Sequence, residues 1–389
     1  MLRRKSDGVI LKVPVVRLSV ADREYVTSRK LLLVAPLLAG SWEMSTRMGL
    51  LKSAGLDESS EAAVARSLAW LAKKQNADGS WGRQHPCGIT GLCLLAIAGH
   101  GETRHHPERG TTMRRGIEFL LKTADTKTRP LHFAGIFSSK PHQISSTYEH
   151  AIATQALAEI LAMDRDAGPA KLALEKAVDL ILKAQSAAGL WSYKEGIGYD
   201  SRGSGDLSLS HWQVQALAMA DLVQTDRKKL RPALNKAVAG IASYLNPAAG
   251  FGNADREKHY NQWVLTGTSL WALRLSGLSP TQLNTTGAEA WLLDQEQAGK
   301  ANWDQDCQLY AWIFNAHVFY HSGGTAWTWW RQHRVPQILA GQLPTGNFRQ
   351  EKGGEIIAAG SGGAGGDAEL YRTCLAALML EVPYRYAVK

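Results

Sequence analysis

A seven-residue pattern, Gln-x3-Gly-x-aromatic, occurs three times with identical spacing: Gln75 to Trp81 (QNADGSW), Gln185 to Trp191 (QSAAGLW) and Gln342 to Phe348 (QLPTGNF). Helical apolar spacing precedes it, with Val64, Leu68 and Leu71 before the first copy and Val178, Ile181 and Leu182 before the second. The glycine suits the positive φ at which a helix ends. The aromatic two residues on can fold back between helices, and the glutamine amide can bond backbone groups that the turn exposes. Gly250-Phe251 is a degraded fourth copy, and the fifth repeat carries none.

A second helix, richer in alanine and other small residues, follows each turn position. These helices are expected to begin near Ile89, Tyr148, Ser210, Trp263, Leu309 and Leu370. Their preceding partners are expected near Val64, Met113, Glu175, Asn235, Ala288 and Ala326. Six pairs at a spacing of ~40 to 60 residues fall in the range of helical repeat units. The small residues allow the second helices to crowd around an axis, and the first helices, with more Lys and Arg, form an outer ring. The pattern predicts an all-α (α/α)6 toroid of six helical hairpins over residues 46–389, with an open solenoid as the alternative. The chain of 389 residues exceeds the roughly 250 to 300 at which a single core stops growing. A repeat ring escapes that limit because each unit buries its apolar face against its neighbours.

Residues 1–45 read as an extension outside the ring. Arg29-Lys30 precede the apolar run LLLVAPLLAG, residues 31–40. Such a run is too short to span a bilayer but suits the apolar region of a signal peptide over residues 29–41. On that reading translation starts near Val26 and the protein is exported or periplasmic. The plainer reading is an N-terminal helix docked on the ring of a cytoplasmic protein. The net charge of +9 fits an acidic partner or a membrane surface. No block of five basic residues, zinc-finger motif or Gly-rich phosphate loop is present, which argues against nucleic acid and nucleotide cofactors. Cys87, Cys93, Cys307 and Cys374 are scattered with no CxxC, which argues against a zinc cluster and leaves either reduced thiols or at most two disulfides. The 13 tryptophans suit helix-packing anchors or an aromatic cavity.

The glutamine turns resemble the repeat motif of squalene and oxidosqualene cyclases and of prenyltransferase β subunits. Closer still is the resemblance to uncharacterised bacterial proteins with prenyltransferase/squalene-oxidase repeats. The matching segments are Tyr148 to Ala153, Asp206 to Ala220, Gly323-Gly324 with Trp327 and Trp330, and the ending Leu380 to Tyr386. The resemblance covers residues 60–389 and implies the toroid fold; those bacterial relatives carry no assigned reaction. Zinc prenyltransferases hold their metal with an Asp two residues before a Cys and a later His. Here Asp304 and Asp306 stand three and one before Cys307, and Arg372 occupies the histidine position, so no metal is expected. Class II terpene cyclases resemble this chain at Asp304-Gln305-Asp306-Cys307. That likeness implies Asp306 as proton donor, with Asp304 beside it and Trp263, Tyr310, Trp312 and Phe314 shielding a carbocation. Against it, the motif falls in the fifth repeat and the cyclases use two α-domains; two acids capping a helix are the plainer reading.

Ring closure would bring the starts of the inner helices to one mouth, with Tyr148, Glu149, His150, Asp206, His211, Trp212, Trp263, Tyr310, Trp312, Tyr371 and Arg372 around it. Neighbours Glu149 and His150 diverge by ~100° on a helix. His150 and His211 could converge with Arg372 on a carboxylate or phosphate bearing an apolar tail. They could equally serve polysaccharide-lyase chemistry, with Tyr and His removing a proton. Trp327, Trp329 and Trp330 read as packing residues. The expectation is a hydrophobic, isoprenoid-like ligand in a central aromatic cavity. A non-catalytic exported ring that binds a ligand or a protein partner and a carbohydrate-active ring are the alternatives.

Overall fold

Asp57 starts the first ring helix: its extended backbone and its carboxylate, accepting from Ser59 N at 2.9 Å, cap Glu58–Lys73. In the computed structural model, residues 2–3, 10–11, 15–20, 23–28, 31–33, 44–124, 145–164, 168–192, 205–223, 227–246, 250–252, 262–277, 283–299, 303, 308–348 and 367–388 are described. The helices are α1 Met44–Ser53, α2 Glu58–Lys73, α3 Pro86–Gly99, α4 Gly110–Ala124, α5 Ser145–Met163, α6 Gly168–Ala184, α7 Leu207–Leu222 and α8 Arg227–Ala242. They continue with α9 Gln262–Leu275, α10 Thr286–Ala298, α11 Leu309–Ser322, α12 Gly324–His333, α13 Val335–Ala340, α14 Ala368–Leu380 and α15 Val382–Arg385.

The inner layer is α3, α5, α7, α9, α11 and α14; each packs on the next, and α14 packs back on α3. The circle is closed, and the solenoid alternative is set aside. The chain is an all-α toroid. Outer helices α2, α4, α6, α8 and α10, with α12 and α13 for the sixth repeat, fall where the sequence placed them. The sixth outer segment breaks at Arg334, where Pro336 in the first turn of α13 has no N–H to continue α12. Inner helices such as α3 and α7 are buried almost all round, as a helix enclosed by two layers must be.

The turns join repeats rather than merely ending helices. Gln75 Nε2 donates to Gly79 O at 2.9 Å and to Thr112 O in the next outer helix at 2.9 Å. Gln185 does the same to Gly189 O and Ala233 O. Gln342 bonds Gly346 O at 3.1 Å and Ala63 O in α2 at 2.7 Å, which ties the sixth repeat to the first. The glycines have φ of +90°, +86° and +100°, and a methyl group on any of them would overlap a carbonyl of the following outer helix. Trp81 and Trp191 are buried, with indole N–H groups on Leu71 O and Ile181 O of their own repeat. In the fifth repeat the aromatic slot is taken by Trp303, which packs on Phe348 and Trp312 without the glutamine turn.

Short strands supplement the helices. β1 Leu2–Arg3 pairs with β2 Ile10–Leu11, and β3 Val15–Val20 with β4 Arg23–Ser28. β6 Leu245–Asn246 pairs with β7 Gly250–Phe251. The start of the apolar run, β5 Leu31–Leu33, is a strand rather than a docked helix, antiparallel to β8 Tyr386–Val388. The rest of residues 29–41 and most of the long loops at 123–146, 192–208 and 350–367 lie outside the described residues. Among the described residues, no helix is long and apolar enough to cross a membrane.

Candidate functional site

The inner helices run parallel, so their first turns share one end of the ring. Glu149 of α5 meets the backbone N–H of Cys87 and Gly88 in α3 at 3.2 and 3.4 Å, and Gly88 and Gly91 leave room for that close approach. At the far end, Gly99 of α3 lies against Glu381. Four hydroxyls fix the inner starts to the turns: Trp81, Trp191, Phe251 and Phe348 donate their backbone N–H to Thr90, Ser210, Thr266 and Thr373.

One half of the mouth is polar. Asp367, just before α14, accepts the N–H groups of Arg83, Gln84 and His85 at 2.8, 2.9 and 3.2 Å. Glu149 sits at the N-terminus of α3, where the helix dipole favours a carboxylate, and His85 Nδ1 lies 3.8 Å from it. Arg372 is buried one turn inside α14, and Tyr371 is half-buried beside it. Asp206 caps α7, accepting from Ser208 N at 2.7 Å.

The other half is aromatic. Tyr148 and Ser208 hydroxyls lie 2.9 Å apart. Tyr310 of α11 donates to Ser208 O of α7 at 2.7 Å, and its oxygen lies 3.3 Å from His211 Nε2. Phe314 makes T-shaped contacts with His211, Trp212 and Tyr310, with ring centroids 4.6, 5.4 and 5.4 Å apart. Helices α7 and α11 are separated in the ring by α9, so these side chains meet on its axis side. Burial pushes the His211 imidazole down to about 3, so the group is neutral as well as aromatic. Further along the bore, Trp271 stacks on His317 at 4.3 Å and donates to Gln215 at 3.1 Å.

Three sequence candidates face elsewhere. His150 bonds Ala177 O of α6 at 3.0 Å, with burial holding its pKa near 4, so it does not converge with His211 and Arg372. The helical rotation that turns Glu149 to α3 turns His150 to the outer layer. Trp312 lies between Trp303 and Trp330 with the Arg334 guanidinium 4.7 Å over its ring. Trp263 is half-buried at the start of α9, near Glu296 of α10. Burial raises Glu296, against the lowering by the Arg334 charge at 2.7 Å and by Asn315. Asp304 and Asp306, with Gln305 and Cys307, lie outside the described residues.

The opposite end holds what sequence reading missed. Arg385 of α15 bonds Leu95 O at 2.9 Å and both Glu159 oxygens at 3.0 and 2.8 Å, joining α15 to α3 and α5. Nearby runs a chain of charges. Arg47 bonds Glu61 at 2.7 Å, His100 lies 3.1 Å from Glu61 and 2.9 Å from Glu102, and Arg109 grips Glu102. Burial alone would raise Glu102; the bonds from His100 and Arg109 hold it at about 2 instead. These groups floor a groove of about 1100 Å³ bordered by Met44, Met48 and His106. No spacing rule links Arg385 to Leu95 and Glu159, 290 and 226 residues away in the chain.

Among solved structures, a D-mannose isomerase is similar in fold, with a TM-score of 0.54 at 10% identity over 87% of this chain and 98% of that one. A variant type II terpene cyclase from Scytonema, solved with geranylgeranyl dihydroxybenzoate as substrate, gives 0.50 at 12% identity over 88% and 99%. No family profile and no curated protein sequence matches the chain. The class is therefore that of the α/α-toroid fold found in these enzymes.

Proposed function

We propose that this toroid is an enzyme whose mouth takes a hydrophobic, isoprenoid-like substrate. The apolar part would lie among Trp212, Tyr310 and Phe314, and the polar head would lie toward Arg372 and Tyr371. The reading rests on one observation: the neutral aromatic group that α7 and α11 assemble on the axis side of α9. Such faces stabilise a carbocation without competing charge. The geranylgeranyl substrate of the similar Scytonema cyclase supports the same substrate class. The assigned chemistry is isomerisation or cyclisation begun by proton transfer from Asp306, with Asp304 beside it; Asp306 stands four residues before Tyr310 in the chain. Tyr148, with its hydroxyl on Ser208, rims the entry.

Lipid extraction and mass spectrometry of the purified protein, with tryptophan-fluorescence titration of a geranylgeranylated phenol, test the proposal. An isoprenoid should co-purify, Trp212→Ala should lose it, and Asp306→Asn should bind the probe without converting it. No bound isoprenoid and no response to the probe would sink the reading. A carbohydrate reading is favoured by the Tyr148 and Tyr310 hydroxyls, which meet the Ser208 hydroxyl and the Ser208 carbonyl, and by the fold shared with a D-mannose isomerase. A response to D-mannose and none to the prenylated probe would select it. Binding without any turnover by the wild type would select a non-catalytic ring.

A further inference from the structure

Ring closure depends on a seam between helices at opposite ends of the chain, and that seam carries two thiols. Cys93 of α3 and Cys374 of α14 are both fully buried, with sulfur atoms 3.4 Å apart across 281 residues of sequence. We propose that this pair is a redox cross-link site, joined as a disulfide that fastens the first inner helix to the last. The sulfurs need to approach by about 1.4 Å to reach bonding distance, within the scope of a side-chain rotation and a small helix shift. Cys87 lies six residues before Cys93 on the same helix, about 9 Å along its axis, so it does not compete for Cys374.

The timing follows from topology. Contacts separated by so much chain form after local hairpins, because closing the long loop costs entropy first. Both thiols are therefore accessible while the hairpins form, before the seam shuts. The oxidant is a disulfide such as oxidised glutathione. One thiolate attacks it and releases one thiol; the second thiolate attacks the mixed disulfide and releases the other. Two protein thiols are oxidised and one external disulfide is reduced to two thiols. In the closed ring, burial raises the Cys93 thiol and leaves it inert. A bridge formed on folding is then kept from exchange by the same burial.

The test refolds the full chain in a glutathione redox buffer or in dithiothreitol. The oxidised product should be lighter by two hydrogen atoms and give a cross-linked peptide containing residues 93 and 374. Loop closure of this length should favour the folded state by on the order of ten-thousandfold, read as a higher unfolding midpoint. Cys87→Ala should keep both the link and the rise; Cys374→Ala should lose both. A link to Cys87 or Cys307 instead, no link at all, or a 93–374 link without a higher midpoint would overturn the proposal. The mass and peptide readouts need only the wild-type chain, so a variant that fails to fold leaves the test intact.

Discussion

Replacing Gly189 by alanine should destabilise the protein substantially more than replacing Gly323. Gly189 has φ +86°, so alanine there takes on about 1–2 kcal/mol of left-handed backbone cost; Gly323, at φ +68° and ψ −154°, sits in a region that glycine alone enters readily, which costs alanine about 1–3 kcal/mol. The surroundings differ. A methyl at 189 overlaps the Lys236 carbonyl in α8, whereas nothing lies within 4 Å of one at 323. Relieving that overlap costs roughly a further 1–3 kcal/mol. If the turn shifts, the two Gln185 bonds at 2.9 Å go with it, each contributing about 1 kcal/mol. The totals are about 4 to 7 kcal/mol for Gly189→Ala and about 1 to 3 for Gly323→Ala. Urea unfolding followed by tryptophan fluorescence gives the two midpoints, and hydrogen exchange should locate the first loss at the α6–α8 junction. Equal losses, or a loss not localised there, would refute the view that the glutamine turns clamp one repeat to the next.

Arg334→Met should cost about 3–5 kcal/mol, because it strands a buried carboxylate; the double variant with Glu296→Leu should recover much of it in the same unfolding assay. Acid should weaken the fold from about pH 6.5 downward. His150 and His211 have folded pKa values near 4 and 3, below their unfolded value, so the unfolded chain binds protons first and each histidine removes up to about 1.4 kcal/mol per pH unit. His211→Phe should flatten the decline of stability between pH 6.5 and 4, and an unchanged slope would contradict the assignment. Glu102, held at about 2 against an ordinary value of 4.5, adds a second loss as pH falls from 4.5 toward 2, which Glu102→Gln should abolish. Tyr310→Phe should cost about 1 kcal/mol through its lost bond to Ser208, read as a lower unfolding midpoint, while binding of the prenylated probe, which meets the ring and not the hydroxyl, stays nearly unchanged.

The ring was legible because its determinants are local. A glycine at positive φ, an aromatic two residues on and a glutamine four before it are read directly from Gln75–Trp81, and alanine-rich stretches mark the inner layer. The fifth repeat escaped because Trp303 fills its slot without that spacing. Mouth residues were only partly legible, since position along an inner helix gives depth but not facing. Tyr310 and Trp312 are two residues apart, roughly 200° around a helix, and they point to the bore and to the outer layer. Arg385 had no readable role, because its partners Leu95 and Glu159 are 290 and 226 residues away.

The closed circle itself is best tested by one intramolecular distance, between spin labels at exposed Ala69 in α2 and Leu343 after α13. The Gln342 bond to Ala63 predicts a single short separation for this pair. Six hairpins stacked in an open row at 8–10 Å per step would part the labels by roughly 45 Å, and that longer distance would contradict the ring and the mouth together.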